Sequence, residues 1–397
     1  MKVVQLNAVC GRGSTGKICV SISDILNRKD VENFILYSAG NSERPNAISC
    51  CSKIYTKVQA LKSRILGNYG FNSFSETRRM ISVLEQIKPD IVHLHNVHGH
   101  DCHLELLMDY FRKNRTKVFW TFHDCWAFTG YCTHFMFDGC EKWKSGCGNC
   151  PQKRKYSWLF DRSAELFQRK RKAFAGLDLT IITPSRWLAD LVGQSFLKDY
   201  PVNVIPNGID LHVFKPTVGS FREKNHISPD TFLLLGVAQG WGVRKGLDVF
   251  IELAERLDSE KFQIVLVGTD DAVDRQLPEH IISIHRTNNQ RELAEIYSAA
   301  DLFVNPTRED NYPTVNMEAI ACGTPVVTFR TGGSPESLTE KTGSIVDCKD
   351  IDTMEREILR IWSQRPYTQE DCRMSASGFD MNVCFSSYLE LYAESGT

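Results

Sequence analysis

Short apolar runs alternate with helix-like stretches twice along this sequence, and that alternation restricts its fold more than any single motif. In the first half, residues 3–8, 33–38, 89–96, 117–122, 179–183 and 202–205 read as strands. Helices are predicted between them through 52–66, 75–87 and 187–196. A second set follows: strands 232–237, 263–267, 281–284, 302–304 and 326–329, with helices 246–257, 292–299 and 352–362. Strand–helix alternation means parallel pairing, because parallel neighbours need a long crossover that a helix supplies. At 397 residues the chain is too long for one core. Two such runs therefore predict an α/β fold of two doubly wound parallel-sheet (Rossmann-like) domains. The turn Pro206-Asn207-Gly208-Ile209-Asp210 stops the sixth strand and begins the linker.

Residues 305–325, NPTREDNYPTVNMEAIACGTP, carry the densest chemistry. A loop with Pro306 and Pro313 follows a short strand; Thr314 is predicted to cap a helix that ends at Gly323. Asp310 lies in the loop and Glu318 about one turn into the helix, so both carboxylates can face one crevice beyond a strand's carboxyl end, where open parallel sheets bind ligands. Met317, Ala319, Ile320 and Ala321 leave that helix little solvent face, so Glu318 wants a polar ligand. Further upstream, Gly240-Trp-Gly-Val-Arg244-Lys245-Gly246 sets a cation pair at a helix start, an arrangement suited to a diphosphate.

In the first half, Gly11-Arg-Gly13-Ser14-Thr15-Gly16 follows the first strand and opens a helix. This is a literal GxGxxG, whose glycines admit close approach of a ligand and whose helix N-terminus offers N–H groups to an anion. An NAD(P)-dependent oxidoreductase is thus a rival reading, but such enzymes close the second strand with an acid for the ribose. Here that strand ends in Ser-Ala-Gly-Asn. Five of eleven histidines fall between His93 and His103. Alternation along a strand prevents all of them from converging on one metal, so they are expected as packed or ligand-lining groups, with His95, Asn96 and His98 nearest the mouth. His123 ends the next strand, where it can donate to a phosphate or hydroxyl, exchange a proton, or simply pack.

The segment 124–156 carries Cys125, Cys132, Cys140, Cys147 and Cys150 with little regular patterning. A loop so long needs a staple. One tetrahedral zinc on Cys132, Cys140, Cys147 and Cys150, with Cys125 as a substitute ligand, and a set of free thiols are the two readings. From Lys153 to Lys172, eight basic residues stand against Asp161 and Glu165, interleaved with Trp158, Leu159, Phe160, Leu166 and Phe167. Such a helix suits either an anionic membrane face or plain solvent over a buried stripe. No nucleic-acid-binding module accompanies the charge, and a net charge of −1 gives no global pull toward polyanions. The opening MKVVQLNAVC lacks the apolar run of a signal peptide, no stretch is long enough to span a bilayer, and fourteen cysteines suit a reducing compartment. The expected location is cytoplasmic.

Taken together, several motifs resemble those of family 4 retaining glycosyltransferases of the GT-B fold, in particular the bacterial branch that builds capsule, exopolysaccharide and O-antigen repeats. The residues carrying the resemblance are Gly13-Ser-Thr-Gly16, Val92 to Asn96, His123-Asp-Cys-Trp126 with its cysteine loop, Thr183-Pro-Ser185 and Ile205-Pro-Asn-Gly-Ile-Asp210. Arg244-Lys-Gly246, the Asp310 to Glu318 element and Thr331-Gly-Gly-Ser-Pro-Glu336 complete the set. The resemblance implies two domains facing across a cleft: residues 1–206 on the acceptor side, joined by a terminal crossover helix 379–397, and residues 207–378 binding the nucleotide-sugar. It implies catalytic roles for His123, Lys245, Asp310 and Glu318, and a donor set of Gly16, Arg244, Lys245, Glu309, Asp310, Asn311, Thr314 and Glu318. Glu318 would hold the ribose, Asp310 the sugar hydroxyls, and Lys245 with Arg244 the departing diphosphate. Ser14, Thr15, His95, Asn96 and His98 would face the acceptor. At the first acidic position relatives carry glutamate, where this chain has Asp310 preceded by Glu309; many also carry arginine where Gln239 stands. The partners implied are a UDP- or GDP-sugar and a saccharide or lipid-linked acceptor, with no cofactor needed for catalysis and contact with the inner membrane surface. A non-catalytic sugar-nucleotide-binding protein is the remaining alternative.

Overall fold

The computed structural model describes residues 1–394. The chain divides into two compact units, residues 1–206 with 385 onward, and residues 207–384. The first holds seven strands: β1 (Lys2–Val9), β2 (Glu32–Ala39), β3 (Ala47–Ser49), β4 (Ile91–Leu94), β5 (Lys117–Thr121), β6 (Leu179–Thr183) and β7 (Val202–Val204). They pair in parallel in the order β3-β2-β1-β4-β5-β6-β7. The second holds β8 (Phe232–Val237), β9 (Phe262–Val267), β10 (Ile281–Ile284), β11 (Leu302–Asn305), β12 (Val326–Phe329) and β13 (Gly343–Val346), ordered β10-β9-β8-β11-β12-β13. Both sheets reverse winding direction once, between β1 and β4 and between β8 and β11. Those two points leave crevices at the strands' carboxyl ends.

The alternation that predicts the sheets does so because central strands are covered on both faces. β4, β6, β11 and β12 are buried at every position and read as mostly apolar, β-branched runs. β3 and β13 escaped the sequence reading. Each lies at a sheet edge and is half exposed, so neither shows an apolar run. The helix at 314 also differs from expectation. Thr314 is its first residue, not its cap, and the cap position is Pro313, which supplies a fixed φ of −71° and no side-chain hydrogen bond.

The segment expected as the crossover helix divides between the units. Ile209 N–H donates to Phe379 O (2.8 Å) and Met381 N–H to Ile209 O (3.0 Å), which ties residues 379–384 to the second unit. Farther along the helix Met381–Glu394, Tyr388 and Tyr392 bond the first unit at Thr121 Oγ1 (3.2 Å) and His93 Nδ1 (2.6 Å). Residues 395–397 of the expected segment lie outside the described residues.

The cysteine segment is less bare than its sequence suggests. Single turns at Trp126–Phe128 and Lys142–Lys144 and a short helix at Lys153–Tyr156 punctuate it. Its buried aromatics Trp126, Phe128, Tyr131, Phe135, Trp143 and Tyr156 join the first unit's core. Three of the eight basic residues between Lys153 and Lys172 are spoken for. In the helix Ser163–Phe174, Leu166, Phe167, Lys170 and Phe174 are buried, and Arg169 pairs with Glu105 while lying 4.2 Å over the Phe71 ring. Arg162 pairs with Glu165. Arg162, Arg169 and Lys170 are thus taken up within the fold, while Arg154, Lys155, Arg171 and Lys172 of the same segment stay exposed.

Candidate active site

In the second unit, the loops after β8 and β11 meet because those strands are neighbours at the reversal point. After β8 the chain makes a single turn, Val243–Lys245, and Gly246 (φ +80°) starts the helix Leu247–Arg256. A side chain at Gly246 would meet Pro306 at 2.5 Å, so glycine is needed both for the backbone conformation and for the approach of the two loops. Lys245 Nζ donates to Asp310 Oδ2 at 2.6 Å, with both side chains about one-fifth exposed (19% and 23%). Arg244 is half-buried and has no carboxylate within ion-pair distance among the described residues. Two expected ligand groups thus stand together, one cation already paired and one open.

Arg308, which the sequence reading passed over, holds this arrangement. It is 6% exposed and forks onto both carboxylate oxygens of Asp248 (2.7 and 2.8 Å). It also donates to Val243 O, while its own N–H reaches Arg244 O at 2.9 Å. One guanidinium therefore fixes the turn that carries Arg244 and Lys245 to the β11 loop. Being locked, it is no substitute for the arginine absent at Gln239. From the other side, Gly332 (φ +54°) packs so closely on Asp310 O that a Cβ would lie 1.7 Å away, and Gly333 N–H donates to Asn311 O.

The helix Thr314–Ala321 exposes only Thr314, Val315 and Glu318, which share one face. Glu318 accepts from Tyr297 Oη at 3.1 Å. Burial, and then the Glu318 charge, push the Tyr297 hydroxyl well above its ordinary range, so it stays a donor. Asn316, fully buried, bonds Asn305 and the hydroxyls of Ser334 and Ser337, fixing the helix to β11. Glu309 and Asn311 are buried (3% and 5% exposed), so Asp310 is the acid this loop presents.

In the first unit, the loop after β1 leads into the helix Gly13–Arg28, with positive φ at Gly11 and Gly13. Gly16 lies in the first turn, where an added Cβ would sit 3.1–3.3 Å from Val9 and Gly11 atoms. Ser14 is exposed, and Thr15 Oγ1 accepts from Asn7 Nδ2 at 3.4 Å. The first turn contains no acid, leaving its N–H groups open to an anion. β2 ends at Ala39, followed by Gly40 and Asn41, with no carboxylate to hold a dinucleotide ribose.

The histidines are organised from beneath. His93 and His95 are buried, their rings 4.1 Å apart on one face of β4. A chain runs from Gln5 Oε1 through His95 (3.1 Å) to His123 Nε2 (3.1 Å). His95 therefore lies under His123 and not at the mouth, and its role becomes positional. Burial, reinforced by neighbouring histidines, pulls His93 down to about 3, His95 well below its usual range, and His123 to about 4 despite the Asp124 charge, so all three are neutral near pH 7. His98 meets Asp124 Oδ2 at 3.0 Å and Tyr69 Oη at 3.0 Å. For Asp124, burial raises the carboxyl, but His98 and the Trp126 N–H outweigh it and hold it at about 2. Asn96 is held by its backbone, N–H to Asn7 Oδ1 and C=O to Ala8 N–H.

Gln5, Tyr297 and Arg308 carry no local motif that marks them in the sequence, while His93 and Asp124 stand in marked stretches but their partners come from distant elements. The comparisons with known proteins cover both units. A family model described as Glycosyltransferase Family 4 matches residues 18–213, and one described as Glycosyl transferases group 1 matches residues 230–364. A curated relative from Escherichia coli (strain K12), named as the colanic acid biosynthesis glycosyl transferase WcaC, is 23% identical over 88% of each chain. Among solved structures, sucrose-phosphate synthase from Thermosynechococcus elongatus superposes with a TM-score of 0.72 at 16% identity, covering 99% of this chain and 98% of that one. HepE of Anabaena, solved in complex with UDP, superposes at 0.70 and 13% identity over 99% and 100%. The neighbours share the GT-B fold of two Rossmann-like sheets. With a family model on each unit and that fold over nearly its whole length, the chain belongs to the group 1 and family 4 glycosyltransferases.

Proposed function

We propose that the enzyme moves a sugar from a nucleoside diphosphate donor to a saccharide or lipid-linked saccharide, with retention, in the synthesis of a cell-surface polysaccharide. The observation that carries this reading is the Lys245–Asp310 pair between the loops that follow β8 and β11, with Arg244 next to Lys245 in its turn and Glu318 on the helix that leaves the second loop. In the donor complex Glu318, aligned by Tyr297, takes the ribose hydroxyls, and Asp310 takes hydroxyls of the sugar. Lys245 and Arg244 take the diphosphate. Cleaving the glycosyl–phosphate bond builds negative charge on that diphosphate, and cations fixed beside it stabilise the transition state more than the ground state. The chain's own cations thus do the work for which a divalent metal would otherwise be recruited. Retention follows from front-face attack by the acceptor hydroxyl, with its proton passing to the departing phosphate oxygen; no side chain need act as nucleophile. On the first unit, the Gly13–Gly16 turn, His123, Asn96 and His98 serve the acceptor side. HepE's UDP makes UDP the first donor base to test, and WcaC's name supports a polysaccharide product.

A thermal-shift screen against UDP, GDP, ADP and their sugar conjugates tests the proposal. A ligand at about 100 times its Kd should stabilise the enzyme by about 2.7 kcal/mol. Glu318→Gln and Lys245→Met should each abolish the shift, and an undiminished shift in both variants would refute the site.

No helix among the described residues is long and apolar enough to cross a membrane. We place the enzyme in the cytoplasm, touching the inner membrane through an apolar stripe that the start of the basic segment joins. On the helix Lys53–Leu66, Ile54, Val58, Leu61 and Ile65 recur at helical spacing and are 78%, 44%, 51% and 37% exposed. Trp158 N–H donates to Arg64 O at the end of that helix, so the exposed run Trp158, Leu159 and Phe160 extends the stripe. Lys57, Lys62, Arg64 and Arg154 are exposed around it. Apolar side chains ringed by cations suit an anionic lipid surface.

A further inference from the structure

The cysteine segment of the first unit contains a second organised centre that sugar transfer does not use. Cys132, Cys140, Cys147 and Cys150 line one small pocket, which Thr129 and Ser163 help to close. All four are free thiols. Cys132 Sγ and Cys150 Sγ lie 3.9 Å apart. Two thiolates on one tetrahedral zinc, at Zn–S distances of about 2.3 Å, stand about 3.8 Å apart. The same spacing is too long for a disulfide, whose sulfurs lie about 2.05 Å apart. Cys125, buried 1% exposed with its N–H on Thr133 O, does not line the pocket.

The surroundings are built for sulfur ligands. Gly130 N–H donates to Cys147 Sγ at 3.1 Å, and a Cβ on Gly130 would strike Ser163 O at 2.4 Å, so only glycine allows that approach. Between Cys147 and Cys150 the backbone turns through Asn149 at φ +46°. Lys142 Nζ holds that turn by the carbonyls of Gly148 and Asn149 (3.1 and 2.9 Å), and Cys150 N–H is pinned to Asp161 (2.7 Å).

Lys170 supplies the second, independent observation. It is fully buried (0% exposed), yet pairs with no carboxylate among the described residues. Its Nζ donates to the carbonyls of Trp126 (2.6 Å) and Thr129 (3.0 Å) and lies 3.6 Å from the Trp126 ring centre. Burial pulls its pKa well below the usual lysine range, and the negative charges that would hold it protonated are those of Cys147, Asp124 and Cys132. A buried cation is costly unless an anion compensates it. Four thiolates around Zn²⁺ carry a net charge of −2, and such a cage beside Lys170 balances both buried charges.

We propose that Cys132, Cys140, Cys147 and Cys150 hold one structural zinc ion as thiolates, with Lys170 as its buried counter-charge. The ion staples the segment 124–156 and takes no part in sugar transfer. Each ligand sheds its proton on binding. Among the described residues the exposed group Asp271, Asp274 and His285 is the one set of three ligand atoms already within 4.8 Å of one another, so it is the competing place for a metal, and zinc must draw Cys140 and Cys147 in toward the Cys132–Cys150 pair.

The test is elemental analysis of the full-length enzyme purified without added metal, paired with cobalt substitution. The proposal expects about one zinc per chain and, after exchange with Co²⁺, the strong sulfur-to-cobalt charge-transfer absorption of a thiolate cage. Cys147→Ser/Cys150→Ser should lose the zinc, whereas Asp274→Asn should keep it. Should the double serine variant fail to fold, the cobalt spectrum of the unaltered enzyme still decides. Zinc below about a tenth of an equivalent, a mass two hydrogens low from a disulfide, or a cobalt spectrum without sulfur bands would overturn the proposal. Full zinc retention in the soluble double variant would do the same.

Discussion

Asp310→Asn should make UDP bind more tightly while it lowers sugar transfer. In the free enzyme Lys245 Nζ and Asp310 Oδ2 are 2.6 Å apart, each side chain about one-fifth exposed. At an effective dielectric of about 20, the direct attraction at that separation is about 6 kcal/mol, most of it offset by desolvation. A net worth of about 1–2 kcal/mol is reasonable for a pair at this depth. A diphosphate must compete with Asp310 for Lys245 and tolerate the carboxylate beside it. Removing the negative charge relieves both, so the Kd for UDP should fall about 5- to 30-fold, as RT ln of that ratio requires. Transfer moves the other way, since the sugar loses an acceptor for its hydroxyl hydrogen bonds; kcat/KM should drop about 10²-fold. Isothermal titration with UDP at about 0.1 M salt, beside a transfer assay with the donor found by screening, reads both. UDP binding more weakly to Asp310→Asn than to the unaltered enzyme would refute the reasoning, because Asp310 would then be supporting the diphosphate site and not restraining it.

Arg308→Met should weaken UDP binding at least tenfold without touching the ligand, by releasing the Val243–Lys245 turn from Asp248; stability should fall by about 1–3 kcal/mol, discounted because Asp248 is 44% exposed. Unchanged UDP affinity in a folded variant would remove Arg308 from the account. The buried histidines set an acid limit. Folded His93 titrates near 3 and His123 near 4, against about 6.5 unfolded, so the unfolded chain binds more protons between those values and stability falls as pH drops below about 6.5. The slope is about 1.4 kcal/mol per pH unit for each such histidine, and denaturant titrations from pH 7 to 5 should show it becoming shallower in His93→Gln; an unaltered slope would contradict the assignment. Flotation with phosphatidylglycerol-containing vesicles should be lost in Leu61→Asp/Trp158→Asp and weakened by salt, whereas phosphatidylcholine vesicles should bind little. Flotation that survives the double substitution would sink the membrane face.

Much of the architecture can be read from the chain, for a physical reason: strands buried on both faces leave short, mostly apolar β-branched runs such as Leu179–Thr183, and these are located to within a residue or two. Edge strands leave no such mark, so Ala47–Ser49 and Gly343–Val346 were not found. At the site, residues within local motifs were legible: Gly246 before a helix, Asp310 in its loop, and Glu318 on an otherwise apolar helix. What sequence spacing cannot reveal is a partner from a distant element. Arg308 reaches Asp248 across 60 positions, and His95 reaches Gln5 across 90. The same limit applies to the basic helix, where Lys170 and Arg169 are buried or paired in the fold while Arg171 and Lys172 remain exposed.

Hydrogen–deuterium exchange with and without UDP, read peptide by peptide, tests the donor site most directly. The account predicts slower exchange in peptides covering 238–247 and 306–318, where Lys245, Asp310 and Glu318 reside. Saturating UDP that protects other regions and leaves both of these unchanged would contradict it.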